Sequence, residues 1–357
     1  MSAINRKTDH KPYTAVDSGW AAGDLLALLN RSCATWSAPG QDLANPLAYF
    51  ETMLDDLDAC PSVRAGTVAD LATGRGEANL AVRVDVDTDL PAAVGMARRA
   101  AQHGVPVSFY LLHTAGYYGV FEDDAFRRHE AMAPLYRNLQ DRGMEVGLHA
   151  DPYEVYLAHH MDGARAVIEE LAWLRGLGLD VRGVAGHNAA PAYGVESVEI
   201  FRGWRIRPEA TVEREGKALP VGVLDERVLG LDYEAGCAAP ADGDPAEREA
   251  YLAGLPEGDF LRSPDWFRTY ILDNPYGRWG YAYRVWLLGR DFWAIAGTTR
   301  DGDAVFRFRV GWKKVKAFLD GLRPDETCVL HLHPLYLGRR TGPAGWPDGM
   351  DAGEVPV

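Results

Sequence analysis

The chain has 357 residues, 47% of them hydrophobic and 25% charged, enough apolar side chain for one large barrel-type domain or two smaller ones. Its formal net charge of −14 argues against a nucleic-acid partner, because backbone phosphates are bound by clustered Lys and Arg. No stretch approaches the roughly 18 apolar residues of a membrane span, and the N-terminus lacks an apolar core behind its positive charges, so the expectation is a cytoplasmic protein without a membrane partner.

Residues 1–78 read as an N-terminal extension carrying one good amphipathic helix, "NPLAYFETMLDDLDAC", packed on the main domain. From residue 79 strands and helices alternate. "NLAVRVDVD" is strand-like, and "LPAAVGMARRAAQHG" is helical, with Thr88 or Asp89 as cap and Gly104 as stop. "VPVSFYLLH" is the next strand, and "DDAFRRHEAMAPLYRNLQDRG" is a helical segment closing on Gly143. "MEVGLH" and "DVRGVAGHN" are further strands, separated by the helix in "HHMDGARAVIEELAWLRGLG" and followed by another near "VESVEIFRGW". Strands too apolar to be half exposed, alternating with helices, predict a parallel sheet wrapped by helices. After residue 203 the pattern loosens through "LDERVLGLDYEA" and "RTYILDNPYGRWGY", until "DETCVLHLHPLYLG" gives a last convincing strand. Residues 341–357 form a tail poor in apolar periodicity. The four cysteines, Cys33, Cys60, Cys237 and Cys328, lack C-x-x-C spacing and read as reduced thiols.

Each strand ends on a polar group: Asp85 and Asp87, then His113, His149 and His187, with His333 closing the last. In a parallel barrel all strand C-termini share one rim, where active sites are built. One strand-end histidine is ordinarily a solvated or satisfied one; several at equivalent positions point to a common centre. The run Asp85, Asp87, Asp89 is not a calcium loop, because Leu90 stands where a glycine is needed and Met96 where a bidentate glutamate should be. "RHEAMAP" has Ala133 in place of a zincin's second histidine, "GRGEAN" precedes rather than follows a strand, and neither G-x-S-x-G nor a Walker A sequence is present. What remains is a mixed Asp/His set. One carboxylate and two imidazoles suit a divalent metal, Zn²⁺ first and Co²⁺ or Ni²⁺ as alternatives, while a second carboxylate and a separate histidine can move protons. Arg83, two residues before Asp85, points the same way and can hold that carboxylate ionised.

The segments "RVDVDTDLPAAVGMARRAAQHGVPVSFYLL", "MEVGLHAD", "VAGHNAAPAYG", "ILDNPYGRW" and "VLHLHPLYL" occur in the order seen in polysaccharide deacetylases (carbohydrate esterase family 4). The chain resembles that family over residues 79–340, closest to the branch whose first motif reads R-H-D-V-D. The resemblance implies an α/β fold, a distorted (β/α)₇ barrel with the mainly helical extension attached, and metal-dependent removal of an acetyl group from a sugar. It implies Asp85 as base, Asp87 as metal ligand, His149 as the first metal histidine and His333 as the catalytic acid. Asp273 and Arg278 fall in a segment similar to the fourth motif, and Tyr193, His113 and Asp151 are further supporting or substrate-binding candidates. Three departures stand out: Val86 separates aspartates the family keeps adjacent, so base and ligand are open to exchange; Val84 replaces the branch histidine; and Tyr153 occupies the position of the second metal histidine. His187 is the replacement candidate and Asp151 the runner-up. His331, on the face of His333, reads as buried support.

The expected activity is that of a metal-dependent amidase acting on an acetylated amino sugar or similar small molecule, with homo-oligomerisation left open. The rivals are a hydrolase of a non-sugar amide and a non-catalytic carbohydrate-binding protein on the same barrel.

Overall fold

A computed structural model describes residues 11–25, 27, 47–74, 77–187, 211–214, 217–220, 228–235, 239–240, 283–288, 291–295, 307–310, 316–317, 319–322 and 327–334. Seven parallel strands form the centre of its largest sheet: β1 (Leu80–Val86), β2 (Val107–Leu112), β3 (Glu145–Ala150), β4 (Gly183–Gly186), β5 (Tyr233–Glu234), β6 (Tyr283–Leu288) and β7 (Cys328–Leu332). Their spatial order is β5-β4-β3-β2-β1-β7-β6, so the last strand in the chain pairs with the first, as in a barrel. Antiparallel strands extend the sheet at both ends, Ala239–Pro240 beside β5, and Asp291–Ile295 followed by Arg307–Val310 beside β6. The result is a curled, mainly parallel α/β sheet compatible with a (β/α) barrel; among the described residues no pairing closes the ring.

All seven residues of β1 are buried, because each face of the strand has its own cover. Leu80, Val82, Val84 and Val86 belong to the outer core beneath the helices. Ala81 belongs to a second cluster with Tyr110, Ala185, Tyr233 and Val329, the side chains that fill the inside of the curl. Strand alternation then places Arg83 and Asp85 on the inner face with Ala81, His149 with Gly147, and His331 with Val329. The short helix Val68–Thr73 packs its Val68, Ala69, Leu71 and Ala72 into this inner cluster. Its first N–H groups are received by Ser108 Oγ (from Val68 N, 2.8 Å) and Glu145 Oε2 (from Ala69 N, 3.2 Å) at the N-terminal ends of β2 and β3. The extension therefore fills the end of the curl opposite the strand-end histidines. Space for this interior is made by glycine: a Cβ on Gly183 would lie 2.0 Å from the Tyr233 ring, and one on Gly147 2.5 Å from Tyr110.

α1 (Leu90–Gln102) starts where Asp89 accepts from Ala92 N at 2.9 Å, and the chain turns at Gly104 with φ +67°. Asp89 rather than Thr88 is the cap. α2 (Ala133–Asp141) is shorter than its pattern predicts. The segment before it is a hairpin, Gly119–Glu122 with Ala125–Arg128, turned by Asp123 and Asp124 at φ 49° and 62°. Two positive φ angles define the tight hairpin turn that aspartate tolerates better than most residues, so local turn chemistry overrides the helical spacing. The hairpin gains a third strand from Ala15–Asp17, a β element within an extension whose pattern is mainly helical. The amphipathic helix of that extension is present as Ala48–Asp58, with Phe50, Met53, Leu54 and Leu57 in the outer core. α3 (Gly163–Gly176) begins at Asp162, which accepts from Arg165 N, so His159 and His160 precede it; His159 stacks on Phe121 with centroids 3.6 Å apart. The segments near "VESVEIFRGW" and "RTYILDNPYGRW" and the tail 341–357 lie outside the described residues.

Candidate metal centre

The inner faces of β1, β3 and β7 run out at their C-terminal ends into Asp85, Asp87, His149, His331 and His333, and β4 runs into His187. Two triplets can hold a metal ion: Asp87 with His149 and His187, and Asp85 with His331 and His333, the ligand atoms of each lying within 4.8 Å of one another.

Arg83 decides between them. Its Nε and Nη2 donate to Asp85 Oδ1 and Oδ2 at 2.8 and 2.6 Å, and its Nη1 donates to Ala235 O at 2.8 Å. Its guanidinium also lies 5.5 Å from the Tyr110 ring centroid. A carboxylate held by both prongs of a buried guanidinium is already neutralised, and a second cation there would face that positive charge. Burial alone would raise the Asp85 carboxyl, but Arg83, then His331 and His149, hold it well below the usual carboxylate range. His331 Nε2, fully buried, lies 2.8 Å from Asp85 Oδ2.

Asp87 differs. Its Oδ1 is buried and accepts no well-formed hydrogen bond; its contact is the long one, 3.4 Å, to His149 Nε2. An anionic oxygen out of water with only a long contact to an imidazole is where a cation can replace the imidazole proton. His149 Nδ1 lies 3.1 Å from the carbonyl of Ala185, which can only accept, so Nδ1 carries a proton in either charge state, and Nε2, turned to the carboxylates, is the atom that gains or loses the second. Burial opposes a charge on His149, yet Asp85 and Asp87 together push it up to about 9. Asp87 is lowered: burial works against ionisation and is outweighed by His333 and His149. One carboxylate and two imidazoles from three strands form a donor set that fits Zn²⁺ or a similar divalent ion, with further positions open. His333 flanks it, its Nε2 3.6 Å from Asp87 Oδ2.

His187 Nδ1 is 2.8 Å from Asp151 Oδ2, and Asp151 Oδ1 accepts from Glu154 N at the start of the helix Pro152–Leu157. Asp151, the runner-up as ligand, is thus tied to His187 and to a helix cap. His113 is fully buried, its Nε2 accepting from Asp151 N at 2.8 Å, and burial pushes it down to about 4. It supports the Asp151 backbone. No known family's sequence profile, no curated protein and no solved structure matches this chain. Tyr193, Asp273 and Arg278 lie outside the described residues.

Sequence reasoning missed Tyr117, whose hydroxyl donates to Val86 O at 2.6 Å and accepts from Leu112 N at 2.8 Å, bracing the ends of β1 and β2. The backbone oxygens of Ala185 and Ala235 that hold His149 and Arg83 carry no side-chain signal at all. Among the described residues no helix is long and apolar enough to cross a membrane.

Proposed function

We propose that this chain is a metal-dependent hydrolase removing an acetyl or similar acyl group from an amino sugar or sugar-containing small molecule. The observation that carries the reading is the meeting of Asp87, His149 and His187 beside Asp85 and His333 at one rim of the sheet. The ordered segments resembling polysaccharide deacetylases support the choice of an acylated sugar as substrate. When bound, a divalent cation supplies Lewis-acid polarisation of a carbonyl and acidifies a coordinated water. Asp87, His149 and His187 would hold it.

Asp85 is kept ionised by Arg83, and its Oδ1 retains a second lone pair for the proton of an attacking water. His333, less enclosed than His331, would hand a proton to the departing nitrogen.

Acetate release measured over a panel of acetylated amino sugars and non-sugar acetamides tests this. Release that a chelator stops, that Zn²⁺ or Co²⁺ restores, and that His333→Ala lowers by roughly 10²–10⁴-fold is expected. Release from non-sugar acetamides alone would move the substrate to the other amide class. No release from any acylated compound by metal-loaded protein would remove the hydrolase reading.

A further inference from the structure

From the way Asp151 joins two elements, we infer that it is a positioning residue: it locks the His187 ring in the Nδ1–H tautomer and so makes Nε2 the metal-ligating atom. The inference rests on the metal reading above and deepens it.

His187 ends a strand whose described pairing is short. Its backbone N–H donates to Ala150 O at 2.8 Å, which fixes its Cα beside the end of β3 but leaves the ring to be oriented by its own contacts. Asp151, the residue after Ala150, supplies that orientation. A neutral imidazole carries one N–H; facing at 2.8 Å a carboxyl group whose other oxygen already accepts from Glu154 N, the ring nitrogen that donates is Nδ1. The lone pair is then on Nε2. Ligating histidines are generally set in this way, by a carboxylate or carbonyl on the nitrogen opposite the metal. His149 has the carbonyl version through Ala185 O, and His187 the carboxylate version.

Asp151 is itself held at three points. Its Oδ2 serves His187, its Oδ1 accepts from Glu154 N at 2.9 Å, and its own N–H donates to His113 Nε2 at 2.8 Å. Both oxygens are therefore committed to different donors, and an amide cannot replace them: asparagine has one acceptor for two N–H groups.

The test begins with the wild-type chain free of metal, its histidines labelled with ¹⁵N. Long-range ¹⁵N–¹H spectra, with His187 assigned through His187→Gln, should show Nδ1 protonated and Nε2 bearing the lone pair. Added Zn²⁺ should shift Nε2. Asp151→Asn, and Asp151→Ser, which keeps an N-cap oxygen for Glu154, should weaken Zn²⁺ binding in chelator competition by about 10–100-fold. An Nε2–H tautomer in the wild type, or Zn²⁺ affinity unchanged in Asp151→Ser, would overturn the inference while leaving the metal centre standing. Failure of the wild-type chain to take up Zn²⁺ removes the metal reading together with the inference, and is recognised because it needs no variant.

Discussion

Two buried arginine–carboxylate pairs use the same chemistry in different places. Arg83 grips Asp85 with two N–H bonds of 2.8 and 2.6 Å inside the curl of the sheet; Arg128 grips Glu170 with two of 2.8 and 2.6 Å outside it. Each guanidinium lies over an aromatic ring, Tyr110 for Arg83 and Trp173 for Arg128, at 5.5 and 4.5 Å. The surroundings separate them. Glu170 takes its remaining hydrogen bond from the Tyr13 hydroxyl at 2.8 Å, and Tyr118, Tyr136 and Trp173 pack around it. That pair fastens residue 13, the hairpin strand Ala125–Arg128 and α3 to one another, and its charges are closed. Asp85 faces His331 and His149 instead, and next to them stands Asp87 with a buried oxygen whose contact is a long one to His149. An ion pair enclosed by rings holds a fold; one that opens on histidines and a second carboxylate leaves ligand atoms to spare.

The comparison breaks first at Glu170. Glu170→Ala leaves Arg128 buried without its partner and should cost about 3–5 kcal/mol in urea unfolding, with Zn²⁺ binding by the folded protein unchanged. A loss below about 1 kcal/mol, or a fall in Zn²⁺ affinity, would erase the distinction between the two pairs.

A smaller effect sharpens it from the other side. His149 is pushed up to about 9 in the metal-free chain, above the ordinary histidine value near 6.5 of the unfolded state. Its contribution to metal-free stability is therefore complete below about pH 6.5 and is lost as pH rises through about 9. A metal ligand must be neutral, so Zn²⁺ has to displace that proton. Apparent Zn²⁺ affinity should rise up to about tenfold for each pH unit between about 7 and about 9. A flat profile over that range in chelator competition would show that His149 holds no proton for metal to displace.

Much of the site is legible in the sequence because strand periodicity is exact in its consequences. Ala81, Arg83 and Asp85 share a face by alternation alone, which is enough to pair Arg83 with Asp85. The strand-end positions of His149 and His187 come out in the same way, as do the turns at Gly104 and Gly143, both at positive φ. What alternation cannot carry is contact between strands. Asp151 and His187 meet across 36 residues, and Tyr233 reaches Glu145 across 88. The hairpin at Asp123 and Asp124 is hidden for another reason. Phe126, His129, Met132 and Tyr136, all buried, sit three, three and four residues apart, spacings a helix would also accept, and only the two left-handed aspartates show that the chain turns back.

Metal content tests the central claim most directly. The account predicts close to one equivalent of a divalent transition metal per chain in protein purified without an affinity tag, and less than about 0.1 in Asp87→Ala. Wild-type protein below about 0.1 equivalents, unrecoverable with Zn²⁺, Co²⁺ or Ni²⁺, would contradict it.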